Sequence, residues 1–291
     1  MQTPINILFE QGPMLKALGR IAVQTAIPKK GKNKSNPAVF PTVNEIIPAP
    51  SRKLVKHYVR WSNASVDRYS HYLPPHMFTQ FALPICVTQL EMTRYNLGSI
   101  INQGCGMTIY DNIAMGEDLK VSCEVADITE ENGRARVHQK LTIGTQQKTK
   151  AIEVDFYTAF IIGKSEKSPR EEEQKPSFRS LGSWNTTSND GLEFGILTGD
   201  LNPIHWVAPV AKMSPFKNKV LHGFGMFVRT FETIQNSTNE KIQSIDVRFI
   251  SPVVLPSKGN EVWISEKQGD QHLLEQRDPT GKIQMIGHLT F

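Results

Sequence analysis

Apolar residues recur at helical spacing in residues 13 to 25, PMLKALGRIAVQT, where Met14, Leu15, Leu18, Ile21 and Ala22 share one face and Pro13 suits a first turn. The pattern predicts a docking helix that stops before Pro28, followed by a solvated loop over the breaker-rich KKGKNKSNPAVFP. From Tyr58 to Gly163 the period changes. LPPHMFTQFALPICVTQLEMTRYN predicts a helix beginning about Pro84, and SIINQGCGMTIYD, DLKVSCEVADITEENGRARVHQKLTIGTQ and KAIEVDFYTAFIIG alternate as strands, turning at places such as Glu131-Asn132-Gly133.

The order then repeats. KSEKSPREEEQKPS, residues 164–177, is a dense charge run with almost no apolar content and predicts a linker. Beyond it, SNDGLEFGILTGD predicts a short helix, and VLHGFGMFVRTFETIQ a longer one with Phe224, Phe227, Val228 and Phe231 on one face. Strands follow in KIQSIDVRFISPVVL, NEVWISEKQ, QHLLEQRD and KIQMIGHLTF, and Ser244-Ile245 echoes Ser99-Ile100 before the earlier strands. Helix followed by antiparallel strands, twice, is an α+β chain built from a duplicated unit. The predicted division is an N-terminal unit over 1–163, a linker over 164–177 and a C-terminal unit over 178–291.

Composition narrows the function classes. A chain of 291 residues suggests two cores, although one remains possible. No stretch approaches the roughly 18 apolar residues of a spanning helix, so no membrane role is expected. Cys86, Cys105 and Cys123 lack the paired spacing of a zinc site or a disulfide framework and read as buried thiols in a reducing compartment. With no secretory pattern at its start, the chain is expected in the cytoplasm; the scarcity of acidic residues before Glu45 leaves an organelle leader as the alternative. The net charge of +5 raises nucleic acid as a partner. Apart from Lys29, Lys30, Lys32 and Lys34, however, the basic residues are dispersed, with no aromatic-interleaved stripe, so no nucleic acid is expected and a phosphate-bearing small partner suits the charge better.

The candidate chemistry lies in GDLNPIH, residues 199–205. Pro203 fixes its own φ and biases Asn202 away from helix, so the tight loop can bring Asp200 and His205 onto one water molecule. The carboxylate then acts as general base while the imidazole orients or relays a proton, each transfer contributing roughly 10² to 10⁴ in rate. Taken singly, these residues read equally as turn formers and a structural histidine. VLHGFGMF adds a second element: a helix starting near Gly223 presents free N–H groups to a ligand oxygen, and glycine permits close approach, unless Gly223 and Gly225 serve only packing.

LTGDLNPIHWVAPVAKMSPFKNKVLHGFGMF resembles the signature of the MaoC-like dehydratases, the (R)-specific enoyl-CoA hydratases, at Asp200, Asn202, Pro203, His205, Ala211, His222 and Gly223. VRFISPV extends the likeness, and LPPHMFTQFALP is similar to the first unit of two-domain members. The resemblance implies a double hot-dog fold, each unit a sheet wrapped around a central helix, with the active residues in the second unit and the first altered to take an acyl tail. It implies Asp200, His205 and the Gly223 amide as catalytic groups. Asn202, His222, Phe224 and Arg248 are the expected substrate-binding residues, with Lys212, Lys217 and Lys219 as further candidates for phosphate contacts. No metal or redox cofactor is expected. The implied partner is an acyl-CoA or acyl carrier protein thioester of medium to long chain in fatty acid metabolism, acted on by a monomeric pseudo-dimer or a homodimer. A hot-dog acyl-CoA thioesterase and a non-catalytic acyl-thioester binding module are the competing readings.

Overall fold

A computed structural model describes residues 3–26, 35–164 and 176–291, with side chains from residue 22 to residue 26 left undescribed. The basic run at Lys29 to Lys34 and residues 165–175 of the expected linker lie outside the described residues. The first half contains α1 (Gly12–Ala26), β1 (Val43–Ile47), α2 (Arg52–Ser62), α3 (Phe78–Phe81), α4 (Leu83–Leu90), β2 (Ile100–Ile109), β3 (Leu119–Glu131), β4 (Arg134–Gly144) and β5 (Ile152–Ile161). The second contains β6 (Phe178–Trp184), α5 (Asp190–Thr198), α6 (Ala208–Met213), α7 (Gly223–Ser237), β7 (Ser244–Phe249), β8 (Asn260–Gln268), β9 (Gln271–Arg277) and β10 (Ile283–Thr290).

All ten strands form one antiparallel sheet in the order β1-β3-β4-β5-β2-β7-β10-β9-β8-β6. From each outer edge toward the middle, β1, β3, β4, β5, β2 answer to β6, β8, β9, β10, β7, so both halves follow one topology. The halves join at β2 and β7, with Cys105 opposite Val247 and Met107 opposite Ile245. The echo of Ser99-Ile100 in Ser244-Ile245 therefore falls at the starts of the two strands that make the seam. Gly104 is required there, because a Cβ would fall 2.0 Å from the Val247 carbonyl oxygen.

The length of the chain suggests two cores, but most buried apolar residues of both halves form one continuous cluster. Phe78 from the first half packs on Phe224 and Phe227 of α7, at centroid distances of 6.2 and 6.0 Å. A buried polar knot reinforces this joint. Glu232, fully buried on α7, accepts from Arg68 at 2.5 Å and from Tyr69 Oη at 2.6 Å, and lies 2.7 Å from His76 Nε2. Burial alone would raise the Glu232 pKa; the bonds from His76 and Tyr69 and the Arg68 charge more than offset it and hold the carboxyl low.

Helix α2 escapes the sequence reading because Arg52, Lys53, Lys56 and Arg60 dominate its composition. All four point to solvent while Leu54, Val55, Tyr58, Val59 and Trp61 are buried. Ser51 caps its first turn by accepting from Leu54 N, and Asn63 ends it at φ 64°. Helix α1 follows the expected docking pattern: Arg20 reaches Glu91 and Thr88 at α4, and Met14 touches the GDLNPIH loop, where a Cβ on Gly199 would lie 2.7 Å from Met14 Cβ.

Candidate active site

Helix α5 stops at Gly199, whose φ of 81° supplies the left-handed cap and whose N–H returns to Gly195 O at 2.7 Å. The chain then turns into the Asp-Leu-Asn-Pro-Ile-His phrase. Asn202 Oδ1 accepts from Ile204 N at 3.3 Å and caps a single turn of 3₁₀ helix, Pro203–His205, with Pro203 at its start. Asn202 thus braces the loop. This turn delivers His205 into the interior, where its relative exposure is 8%.

His205 Nδ1 lies 2.8 Å from the Val220 carbonyl, an acceptor only, so Nδ1 carries the proton and Nε2 is left with a lone pair. His222 stacks on His205 with centroids 3.5 Å apart and planes at 24°. Its Nε2 donates to the Asp200 carbonyl at 2.9 Å and lies 3.9 Å from the Asp200 carboxylate. His222 Nδ1 is buried and has no hydrogen-bond partner among the described residues. The Asp200 side chain remains about a quarter exposed, at 27%. Burial lowers the His205 pKa against the opposing pull of the Asp200 charge. Burial, followed by the neighbouring His205, lowers that of His222 to about 3. Both imidazoles are neutral at pH 7.

Three donors that a divalent ion could use, one each from Asp200, His205 and His222, lie within 4.8 Å of one another. The stacked rings fit such an ion poorly, since in-plane lone pairs of nearly parallel imidazoles run side by side rather than toward one point.

Gly223 is the first residue of α7, so its N–H has no partner within the helix, and the preceding His222 makes no side-chain cap. Its pro-side-chain position is already filled: a Cβ would meet Phe249 Cδ2 and Cε2 at 2.7 Å. Because His222 is both the neighbour of Gly223 and the partner of His205, the free amide end of α7 and the acid-imidazole loop share one location. The residues expected as catalytic therefore come together, and His222 joins them rather than serving as a peripheral contact.

The remaining expected site residues divide. Phe224 is buried against Phe156 and Phe249, at 5.3 and 6.1 Å, and forms an apolar wall beside Gly223. Arg248 is not brought to this group. Val247 points into the core and Phe249 onto Gly223, so the period of two turns Arg248 to the other face of the sheet, where it pairs with Asp246 and lies 3.6 Å over the Tyr157 ring. Lys212 and Lys217 are exposed, and Lys219 Nζ donates to Ser188 O at 2.6 Å. Phe249 was legible only as an apolar strand residue; its place over Gly223 depends on pairing between distant segments.

Residues 168–279 match the family model described as a MaoC like domain. The C-terminal half of the chain is thus similar to MaoC-like domains. Solved structures extend the likeness across both halves. HtdX of Mycobacterium tuberculosis superposes with a TM-score of 0.65 at 18% identity, over 86% of this chain and 99% of its own. A MaoC-like dehydratase gives 0.69 at 13%, over 87% and 97%. The full-length peroxisomal multifunctional enzyme type 2 of Drosophila melanogaster gives 0.62 at 17%, over 86% of this chain and 48% of the fly protein. Identities this low establish the fold, a double hot-dog in which the one sheet carries the helices of both units. No curated protein sequence matches the chain. No helix among the described residues is long and apolar enough to cross a membrane.

Proposed function

We propose that this MaoC-like protein catalyses the reversible (R)-specific hydration of trans-2-enoyl thioesters, and in reverse the dehydration of (R)-3-hydroxyacyl thioesters. The observation that carries the reading is the meeting of Asp200, a neutral His205 with a bare Nε2, and the unpaired amide end of α7 at Gly223. In the forward direction a water bound by Asp200 and His205 Nε2 gives up a proton to this pair as its oxygen bonds to C3. The C2–C3 π electrons move toward the thioester carbonyl, whose developing negative charge is held by Gly223 N–H. C2 then takes the proton back from the pair and the carbonyl re-forms. Atoms and charge balance without a redox cofactor.

The substrate is a coenzyme A or acyl carrier protein thioester, with medium to long chains favoured by a first unit that lacks the acid-imidazole phrase. Three buried free thiols, Cys86, Cys105 and Cys123, support a reducing compartment such as the cytoplasm. The duplicated unit supports a monomer that serves as its own pseudo-dimer. A panel of trans-2-enoyl-CoA substrates of increasing length tests the reading: the conjugated absorbance should bleach, and chiral analysis should return the (R)-alcohol. The (S)-alcohol, or no hydration at any length, would sink it. Free thiol released without an alcohol would instead favour a thioesterase.

A further inference from the structure

Residues 3–20 contribute no strand to the sheet, yet they are tied to both halves of the chain. Thr3 Oγ1 donates to Glu193 on α5 at 3.1 Å. Lys53 Nζ and Ser51 Oγ, at the start of α2, donate to Asn6 and Glu10, each at 2.9 Å. Further along, Gln80 Nε2 on α3 donates to Gln11 Oε1 at 2.8 Å, and Arg20 Nε donates to Glu91 beside α4 at 2.9 Å. The segment therefore runs from α5 of the second half to α2, α3 and α4 of the first.

Between these anchors it meets the active loop. Gln11 and Met14, at 1% and 5% exposure, pack on Gly199, the residue before Asp200. A Cβ added there would lie 3.0 Å from Gln11 Cβ and 2.7 Å from Met14 Cβ, so no gap is left between the segment and the loop. The contact matters because polar partners hold the Asp200 carboxylate weakly. Among the described residues its one hydrogen bond comes from Asn202 N at 3.4 Å, and His222 Nε2 is 3.9 Å away. Its aim is therefore set by the backbone around it. Two bonds hold that backbone, from His222 Nε2 to the Asp200 carbonyl at 2.9 Å and from Trp206 Nε1 to the Leu201 carbonyl at 3.1 Å. At Gly199, which has no side chain of its own, the hold beyond the helix cap comes from Gln11 and Met14. An error of about 1 Å in the place of a catalytic group costs roughly 10² in rate.

We infer that Met14 and Gln11 are positioning residues for the hydration, and that through them the first half of the chain sets where the Asp200 carboxylate stands. The inference rests on the hydratase reading above. It gives the first half a part in the reaction separate from taking the acyl tail.

Met14→Ala in the full chain tests it, with Met14→Leu as the conservative partner. The truncation should lower kcat for a trans-2-enoyl-CoA by roughly tenfold to 10², with KM changed less than about twofold. Leucine, close to methionine in volume, should bring kcat back to within about twofold of the wild type. Met14→Val, a smaller truncation that spares the fold, should show the same split on a smaller scale. A readout independent of turnover is the nitrogen-edited proton signal of His222 Nε2–H, which reports the bond to the Asp200 carbonyl. It should shift in Met14→Ala and keep its place in Met14→Leu, while the His205 Nδ1–H signal, bonded to Val220, stays put in both. Unchanged kcat in Met14→Ala and Met14→Val overturns the inference, as does a loss of kcat with no movement of the His222 signal, or a rise in KM alone. A wild type that hydrates no enoyl thioester, but whose His222 signal answers to Met14→Ala, would leave the hold on Asp200 in place and overturn the hydratase reading.

Discussion

Replacing Gly223 by proline and, separately, by alanine isolates the amide that the mechanism requires. Either residue adds a Cβ that would lie 2.7 Å from two ring carbons of Phe249. The ring is wedged on Phe224, so it must shift rather than simply rotate, and overpacking of this kind costs about 1 to 3 kcal/mol of stability. Both variants carry that cost. They differ in the N–H, which alanine keeps and proline lacks. Position 223 tolerates proline otherwise, because the first helical residue donates no helix bond and His222, at φ −58° and ψ 142°, already has the conformation preferred before proline. Removing one donor to a developing oxyanion costs about 2.7 to 4 kcal/mol, or roughly 10² to 10³ in kcat. Hydration of a trans-2-enoyl-CoA, followed by loss of the conjugated absorbance, should therefore be slower by that factor in Gly223→Pro than in Gly223→Ala, with similar denaturant midpoints. Rates within threefold of each other would show that the amide does not polarise the carbonyl.

Other groups give separate tests. Asp200→Asn removes the proton acceptor and should lower kcat by roughly 10² to 10⁴, with KM changed little; full activity would exclude Asp200 as the base. His222 makes the native state lose stability in acid. Below its ordinary value of 6.5 the unfolded chain binds a proton that the folded chain refuses until about pH 3, so stability falls as pH drops through that window, by up to about 5 kcal/mol at about 1.4 kcal/mol per unit. Urea titrations from pH 7 to pH 4 should show a shallower decline in His222→Phe, and parallel curves would contradict the assignment. Glu232→Ala strands His76, Tyr69 and Arg68 at the joint between the halves and should cost about 3 to 5 kcal/mol by denaturant unfolding; a loss below about 1 kcal/mol would mean that the knot does not hold the joint.

Much of the architecture was legible in hydrophobic period. β4 and long stretches of β3, β5, β7 and β8 alternate with period two, and α7 shows its apolar stripe, whereas β2, β9 and β10 are less regular. β1, at a sheet edge, has only partly buried or exposed residues and so offers no such stripe. α2 hides behind its basic face, because amphipathic burial selects Leu54, Val55 and Tyr58 whatever the solvent side carries. Within the site, GDLNPIH announced Asp200 and His205 through turn chemistry that acts over a few residues.

What the chain could determine alone was local: the strand alternation, the capped turn that carries His205 inward, and the glycine at the start of α7. Tertiary structure decided everything that depends on distant segments meeting. Burial against α5 and the Val220 carbonyl makes His205 and His222 neutral stacked partners, and pairing of β2 with β7 turns Arg248 away from the site while it sets Phe249 over Gly223. The physical reason is that burial, which sets a pKa, and strand register, which chooses a side chain's face, belong to the packed sheet and not to any window of sequence.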